Sequence, residues 1–533
     1  MGKDKPKTEY NAAYVKTLET TVQQQKDEIV RLQQKLERMN ELLLNAQRAR
    51  FGQSSEKKAY VMAEGEQVQL FNEAEAVQDV KAPEPTVEEV TVAAHKRKKK
   101  RSLEELAEDL PVEEIVLELS GDQLKCEKCG GTFRLIGKKF VKSEMIYIPA
   151  SVKLLKYYAC TYACDRCEKE TGYAHIVGTT APPSLMKHSL ASPSSVAEVM
   201  TRKYVDGVPL ARQEKIWKRE GIELSRATLA NWVIQTCQTW LKPLYRRLKK
   251  ALLESGVIHA DETVVQVLKE DGKVPSAQSR MWVYASPPRS GKPVRYFEYQ
   301  PDRKGCRAAE FLKEFHGCLV TDGYSGYEQV EHVTRCGCWA HMRRKWREAM
   351  PKGATVQTSQ AAVGYSYCNK LFALERKLSG LDDDTRKLAR QAEAEPLLEA
   401  YWLWLKTLDP VSGSKLEDAV TYANNQRTYL SAFLEHGEVE ISNNLAENAI
   451  RPFVVGRKNW LFSDPPKGAD SSAIVYTLVE TAKANGVEPY AYLLRVLSVL
   501  PYLGRNPSNA ELNELLPWHP RMLASLQRKD NFI

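Results

Sequence analysis

Three acidic residues define the chemistry open to this chain. Asp261 stands in His-Ala-Asp-Glu-Thr within a stretch of Val, Ile and Ala, Asp322 closes Val-Thr-Asp-Gly-Tyr, and Glu447 lies in Asn-Asn-Leu-Ala-Glu-Asn-Ala-Ile-Arg-Pro. A carboxylate on an apolar strand is costly to bury unless it is paired or bound to a cation, which makes Asp261 and Asp322 candidate metal ligands. An all-oxygen donor set suits Mg²⁺, with Mn²⁺ as a substitute. Asp322 precedes a glycine, and Asp-Gly is also a common turn dipeptide. Arg451 follows Glu447 by four positions on one helix face, the spacing of an ordinary Glu–Arg pair, and Arg457 and Lys458 add cations that could hold phosphates.

A second chemistry belongs to sulfur. Five of the eleven cysteines fall between Cys126 and Cys167, in the knuckles Cys126-Glu-Lys-Cys129 and Cys164-Asp-Arg-Cys167 with Cys160 between them. Two Cys-x-x-Cys pairs supply the four thiolates of a structural Zn²⁺ site, and glycines after Cys129 allow the tight turn. Cys160 is a surplus thiol that could replace Cys164. An odd cysteine count with knuckle spacing fits a reducing compartment better than a disulfide framework. Cys336, Cys338 and His341 crowd within six positions but lack an obvious fourth ligand for a zinc ion.

The elements that must position the acids can be read from residues 257–350. Val257–Leu268, Met281–Ser286 and Val294–Gln300 are rich in Val, Ile, Tyr and Phe and read as three strands. A helix over Arg307–Phe315, a strand over Cys318–Thr321, a short strand over Val333–Cys338 and a helix over Ala340–Met350 follow. That order predicts a ribonuclease-H-like fold, with Asp261 in the first strand and Asp322 at the end of the fourth. The gap from Asp322 to Glu447 is about twice that from Asp261 to Asp322, and residues 352–438 are helix formers, so an all-helical insertion is expected there.

Upstream, Val15, Leu18, Val22, Gln25, Ile29, Leu32, Leu36, Met39, Leu43 and Ala46 follow alternating steps of three and four, a heptad seam with Gln25 as a polar seam residue that predicts a coiled coil forming a homodimer or higher oligomer. Residues 57–92 read as a linker, and the basic run Lys96–Arg101 follows. Between Ser192 and Cys237 short helices suggest helix-turn-helix packing. Ser225 would cap a helix presenting Arg226, Thr228 and Asn231 outward, with Leu229, Trp232 and Val233 inward. At 533 residues the chain exceeds one hydrophobic core. Its net charge of +9, with cations locally clustered, points to nucleic acid as partner. The polar N-terminus lacks a secretory core and no long apolar run occurs, so a cytoplasmic protein is expected.

The expected organisation is multidomain α+β. A coiled-coil segment (1–56) is followed by a linker with the basic run (57–101), a zinc-binding domain (102–175) and a helix-turn-helix-like DNA-binding domain (176–245). The catalytic domain (246–464) carries the helical insertion, and a helical C-terminal region (465–533) ends the chain.

Several motifs resemble the insertion sequence 66 family of DDE transposases across nearly the whole chain. They are Arg50-Phe-Gly-Gln-Ser-Ser-Glu-Lys57, the cysteine knuckles, Lys203-Tyr-Val-Asp-Gly-Val-Pro-Leu210, His259-Ala-Asp-Glu-Thr263, Cys338-Trp-Ala-His341, Asn443-Asn-Leu-Ala-Glu447, Gly456-Arg-Lys-Asn-Trp-Leu-Phe462 and Leu515-Leu-Pro-Trp518. Ser442 departs from the resemblance, standing where many relatives have Asp. The resemblance implies Mg²⁺-dependent cleavage and joining of double-stranded DNA, element ends and target alike, by Asp261, Asp322 and Glu447. It also implies Zn²⁺ held by Cys126, Cys129, Cys164 and Cys167, and small helper proteins as further partners. DNA contacts are expected from Arg226, His341, Arg343, Arg344, Arg451, Arg457 and Lys458.

Overall fold

Strands rich in branched and aromatic residues build a five-stranded mixed sheet. β3 (Val257–Gln266), β4 (Gln278–Ala285) and β5 (Arg295–Gln300) form an antiparallel meander, and β6 (Cys318–Thr321) and β7 (Thr334–Gly337) extend it in parallel on the other side, giving the order β5-β4-β3-β6-β7. A computed structural model describes residues 16–26, isolated positions from there to 42, and 151–527 apart from 166–168, 170–172, 174 and 352. The chain divides into two units, 1–60 together with 152–533, and 61–151; all but the last residue of the second lies outside the described residues.

The expected element order holds, with ends moved by one to three residues. The first strand stops at Gln266, and the helix after β5 spans Gly305–Leu312; Gly305 packs tightly at its start, its would-be Cβ 2.3 Å from the carbonyl oxygen of Gly326. A two-stranded hairpin, β1 (Thr161–Cys164) with β2 (His175–Gly178), precedes three helices: α1 (Pro193–Tyr204), α2 (Leu210–Arg219) and α3 (Arg226–Thr236). Ser225 caps α3 by accepting from the Thr228 amide at 3.1 Å. Arg226 and Asn231 are exposed, while Leu229, Trp232 and Val233 are buried.

After α4 (Lys242–Leu253) comes the sheet, then α5 (Gly305–Leu312) between β5 and β6, and α6 (Trp339–Ala349) after β7. The chain leaves the sheet region as α7 (Gln360–Leu378), α8 (Asp383–Ala389), α9 (Glu395–Leu405) and α10 (Lys415–Ser431). Of these, α7, α9 and α10 dock on α6, whose tryptophans make many of the contacts. Trp339 donates to the Leu430 carbonyl at 2.8 Å, Trp346 donates to the Tyr401 hydroxyl at 3.2 Å, and Trp346 and Trp404 lie 5.5 Å apart. The chain returns in α11 (Asn444–Trp460), then α12 (Pro466–Ala484), α13 (Pro489–Leu503), α14 (Asn509–Glu514) and α15 (Pro520–Gln527).

α12 covers β5, an edge strand whose outward amides need partners. The Thr477 and Thr481 hydroxyls accept from the Phe297 amide at 2.8 Å and the Arg295 amide at 3.1 Å. Among the described residues no helix is long and apolar enough to cross a membrane.

Candidate active site

β3 and β6 run parallel in a register that pairs Val257 with Cys318 and His259 with Val320. Two residues further on, Asp261 of β3 and Asp322 just past β6 reach the same level of the sheet. Asp261 Oδ1 accepts from the Glu262 amide at 2.8 Å, and Asp322 Oδ1 accepts from the Tyr324 amide at 3.0 Å. The latter is an Asx-type turn, so Asp322 also serves the turn that its sequence suggested. Burial pushes the Asp261 carboxyl well above the usual carboxylate range, and Glu262, Asp322 and Glu447 add to it by repulsion.

Glu447 sits in the first turn of α11, brought over β3 by the residue before that helix. The Asn443 side chain donates to the Ala260 carbonyl at 2.8 Å, its Oδ1 faces His259 Nδ1 at 3.3 Å, and its amide donates to Cys338 Sγ at 3.1 Å. One buried amide thus joins β3, the start of α6 and the start of α11. His259 is itself buried, which pushes its imidazole down to about 3 and keeps it neutral.

Glu447 then meets α6. Its Oε1 lies 3.6 Å from His341 Nδ1 and its Oε2 3.7 Å from Arg344 Nη2. Both His341 Nδ1 and Glu447 Oε1 are buried without a hydrogen-bond partner. Burial lowers the His341 pKa against the pull of Glu447 and Asp322, so the ring offers little neutralising charge. Cys338 Sγ, a His341 nitrogen and a Glu447 oxygen lie within 4.8 Å of one another. Asp261 and Asp322 fall outside that group. A carboxyl raised by its neighbours and an orphaned carboxylate oxygen fit hard, oxygen-seeking divalent cations.

Sequence reasoning passed over a second set of groups. Glu262 accepts from Arg303 Nε at 2.6 Å and from the Tyr327 hydroxyl at 2.8 Å, its side chain only 2% exposed. Its position beside Asp261 was the available signal. Asn443 stood in the motif that located Glu447, but a side chain that bonds residues some 180 positions away has no local signature.

The expected DNA-contacting residues divide. Arg344 on α6 and Arg451 and Lys458 on α11 are exposed on the helices that meet at Glu447, and Arg457 is half-buried. Arg343 turns to the insertion, donating to the Tyr365 hydroxyl at 2.9 Å and lying 5.7 Å from the Phe372 ring. Arg226 is exposed at the start of α3, away from these helices in sequence. Cys126, Cys129 and Cys167 lie outside the described residues, as does the Cys164 side chain; Cys160 is exposed with a free thiol. Most of the heptad seam also lies outside them, though residues 16–26 are helical, with Leu18 and Val22 exposed.

Comparison with known proteins places these features. The family model described as "Transposase IS66 family" matches residues 188–471, a little over half the chain, and the "IS66 C-terminal element" matches 477–518. A "zinc-finger binding domain of transposase IS66" matches 123–168, spanning both knuckles, and "Transposase C of IS166 homeodomain" matches 38–115. Among curated proteins, the chain is 31% identical over 360 residues to the uncharacterized protein y4qI of Sinorhizobium fredii (strain NBRC 101917 / NGR234), covering 64% of this chain and 65% of the relative, just under two thirds of its length. It is 27% identical over 435 residues to the uncharacterized protein y4jD of the same organism, covering 79% and 82%.

Proposed function

The chain belongs to the IS66 family of DDE transposases, and from that premise we propose that it binds the ends of its insertion sequence, hydrolyses phosphodiester bonds there and joins the freed ends to target DNA. The observation that carries this reading is the alignment of Asp261 on β3 with Asp322 just past the parallel neighbour β6, with the start of the Glu447 helix tied to β3 through Asn443. These three carboxylates are the groups that would hold Mg²⁺, with Mn²⁺ substituting. When bound, the ions supply charge neutralisation and activation of the attacking oxygen at phosphorus.

The protein's own groups do the rest. Arg344 lies beside Glu447, and Arg451, Arg457 and Lys458 follow along α11, cations that hold DNA phosphates near the third carboxylate. His341, 3.6 Å from Glu447, takes a structural or DNA-positioning role beside the carboxylates. Arg226, at the exposed start of α3, contacts the element end, and Arg343 acts by holding α6 against the insertion. Hydrolysis frees a 3′-hydroxyl, and strand transfer uses that hydroxyl on a target phosphorus. Only the attacking oxygen changes, so one centre serves both reactions.

The domain limits follow the same reading, with the catalytic domain over 246–464 and its insertion over 352–438. The N-terminal helix pairs two or more chains so that two ends meet, and Zn²⁺ on Cys126, Cys129, Cys164 and Cys167 shapes an accessory DNA-binding unit. Small helper proteins of the same element join this assembly, which works in the cytoplasm on the nucleoid.

Asp261→Asn tests the assignment. Loss of both cleavage and joining by roughly three orders of magnitude or more, the worth of several kcal/mol of metal-assisted catalysis, with end binding retained in a mobility-shift assay, is expected. Full strand transfer by the variant overturns it.

A further inference from the structure

The geometry points to a second metal site, for Zn²⁺, held by Cys318, His436 and Glu438 and separate from the carboxylate centre. Glu438 Oε1 lies 3.1 Å from His436 Nδ1 and 3.7 Å from Cys318 Sγ, and the three donor atoms fall within 4.8 Å of one another. A tetrahedral zinc with ordinary bond lengths places its nitrogen and oxygen ligands about 3.3 Å apart and its sulfur and oxygen ligands about 3.5 Å apart. One thiolate, one imidazole and one carboxylate form a mixed set that zinc prefers over Mg²⁺ or Ca²⁺, and the two anions balance its charge.

The ligands are held in place before any ion arrives. Cys318 is buried at the start of β6, and Cys336 stands on the same face of the next strand, outside the cluster. His436 and Glu438 flank Gly437, where a Cβ would come within 1.7 Å of the Asp383 carbonyl oxygen, so no larger residue fits and the loop has one path. Arg390, wholly buried, donates to the carbonyls of Phe433, His436 and Val439 at 3.1, 2.6 and 2.8 Å and fixes both sides of that path. His436 and Glu438 remain 29% and 39% exposed, which gives an ion its route in and leaves the fourth position to water. His436 also lines an open cavity with Thr334, Arg427 and Glu435.

Such an ion staples β6, the strand that leads into Asp322, to the loop that leads into Asn443 and Glu447. It thereby ties together the two segments that carry the second and third carboxylates. The site stands independently of the transposition reading, because its readout is metal content.

The test is elemental analysis of the purified full-length chain after exhaustive dialysis. We expect His436→Ala and Glu438→Ala each to lose about one zinc per chain relative to wild type, while Cys126→Ser leaves that equivalent in place. Zinc content unchanged in both variants, with their melting temperatures near wild type, overturns the proposal. Zinc-edge X-ray absorption of the unmodified chain covers the case in which the variants fail to fold. An imidazole and oxygen shell beside sulfur supports the site, and purely sulfur coordination overturns it.

Discussion

The carboxylates near the sheet and the buried carboxylate of the helical insertion meet the same physical problem and end in opposite states. Glu375 of α7 is buried, which alone would raise its pKa, yet Arg390 and Arg386 hold it below the usual range. Both of its oxygens are taken: Arg390 grips it with Nε at 2.8 Å and Nη2 at 2.7 Å, and Arg386 adds Nη2 at 2.8 Å. Arg390 spends its remaining donors on three carbonyls of the return loop. At the sheet, Asp261 is raised by burial and by three other acids, Glu447 keeps an oxygen without a partner, and the nearest imidazole resists its proton. The insertion completes its charge balance with protein groups; the sheet leaves that balance to be completed by something that binds. A buried ion pair finished internally is scaffold, while a converging acidic cluster left unfinished is where a cation and its substrate belong.

Removing Arg390 makes the two regions alike and carries the largest stability effect. Arg390→Met leaves Glu375 buried with half its partners gone and frees the loop before Glu447, so a loss of about 3–5 kcal/mol is expected by urea unfolding. A change below about 1 kcal/mol would mean that the insertion does not depend on its internal neutralisation.

Asn443→Ala addresses the joint between the regions. It strips the Ala260 carbonyl of its side-chain donor and should cost about 1–3 kcal/mol. The joining rate should fall by more than that stability loss explains, because Glu447 loses its placement over Asp261. Equal rates at matched folded fractions would contradict the positioning role.

The last effect is absent at neutral pH and appears only in acid. His259 titrates near 3 when folded, against about 6.5 for a free imidazole, so between those values the unfolded chain takes up a proton that the native chain refuses. Native stability therefore falls as pH drops through that window. His259→Gln should flatten the acid side of a melting temperature against pH curve; an unchanged curve contradicts the buried neutral imidazole.

Much of the sheet was legible because its strands are built from branched and aromatic residues with glycine or proline between them, and the register then brought Asp261 and Asp322 to one level. The long gap before Glu447 likewise resolved into helices α7–α10. What sequence could not give is direction. Arg343 and Arg344 are adjacent on α6, yet one packs on Tyr365 and the other lies beside Glu447, a division set by where the insertion docks. Glu262 and Asn443 escaped notice because their partners, Arg303, Tyr327 and Ala260, are distant in sequence. The pairing of Cys318 with His436 and Glu438 is likewise created only by folding.

The measurement that bears most directly on the central claim is incubation of the purified protein with labelled element-end DNA, a target plasmid and Mg²⁺, comparing wild type with Glu447→Gln. Joined product from wild type, absent with Glu447→Gln although end binding persists, is the expected result. Joined product at equal rates from both proteins would contradict the claim that Glu447 completes the acidic centre.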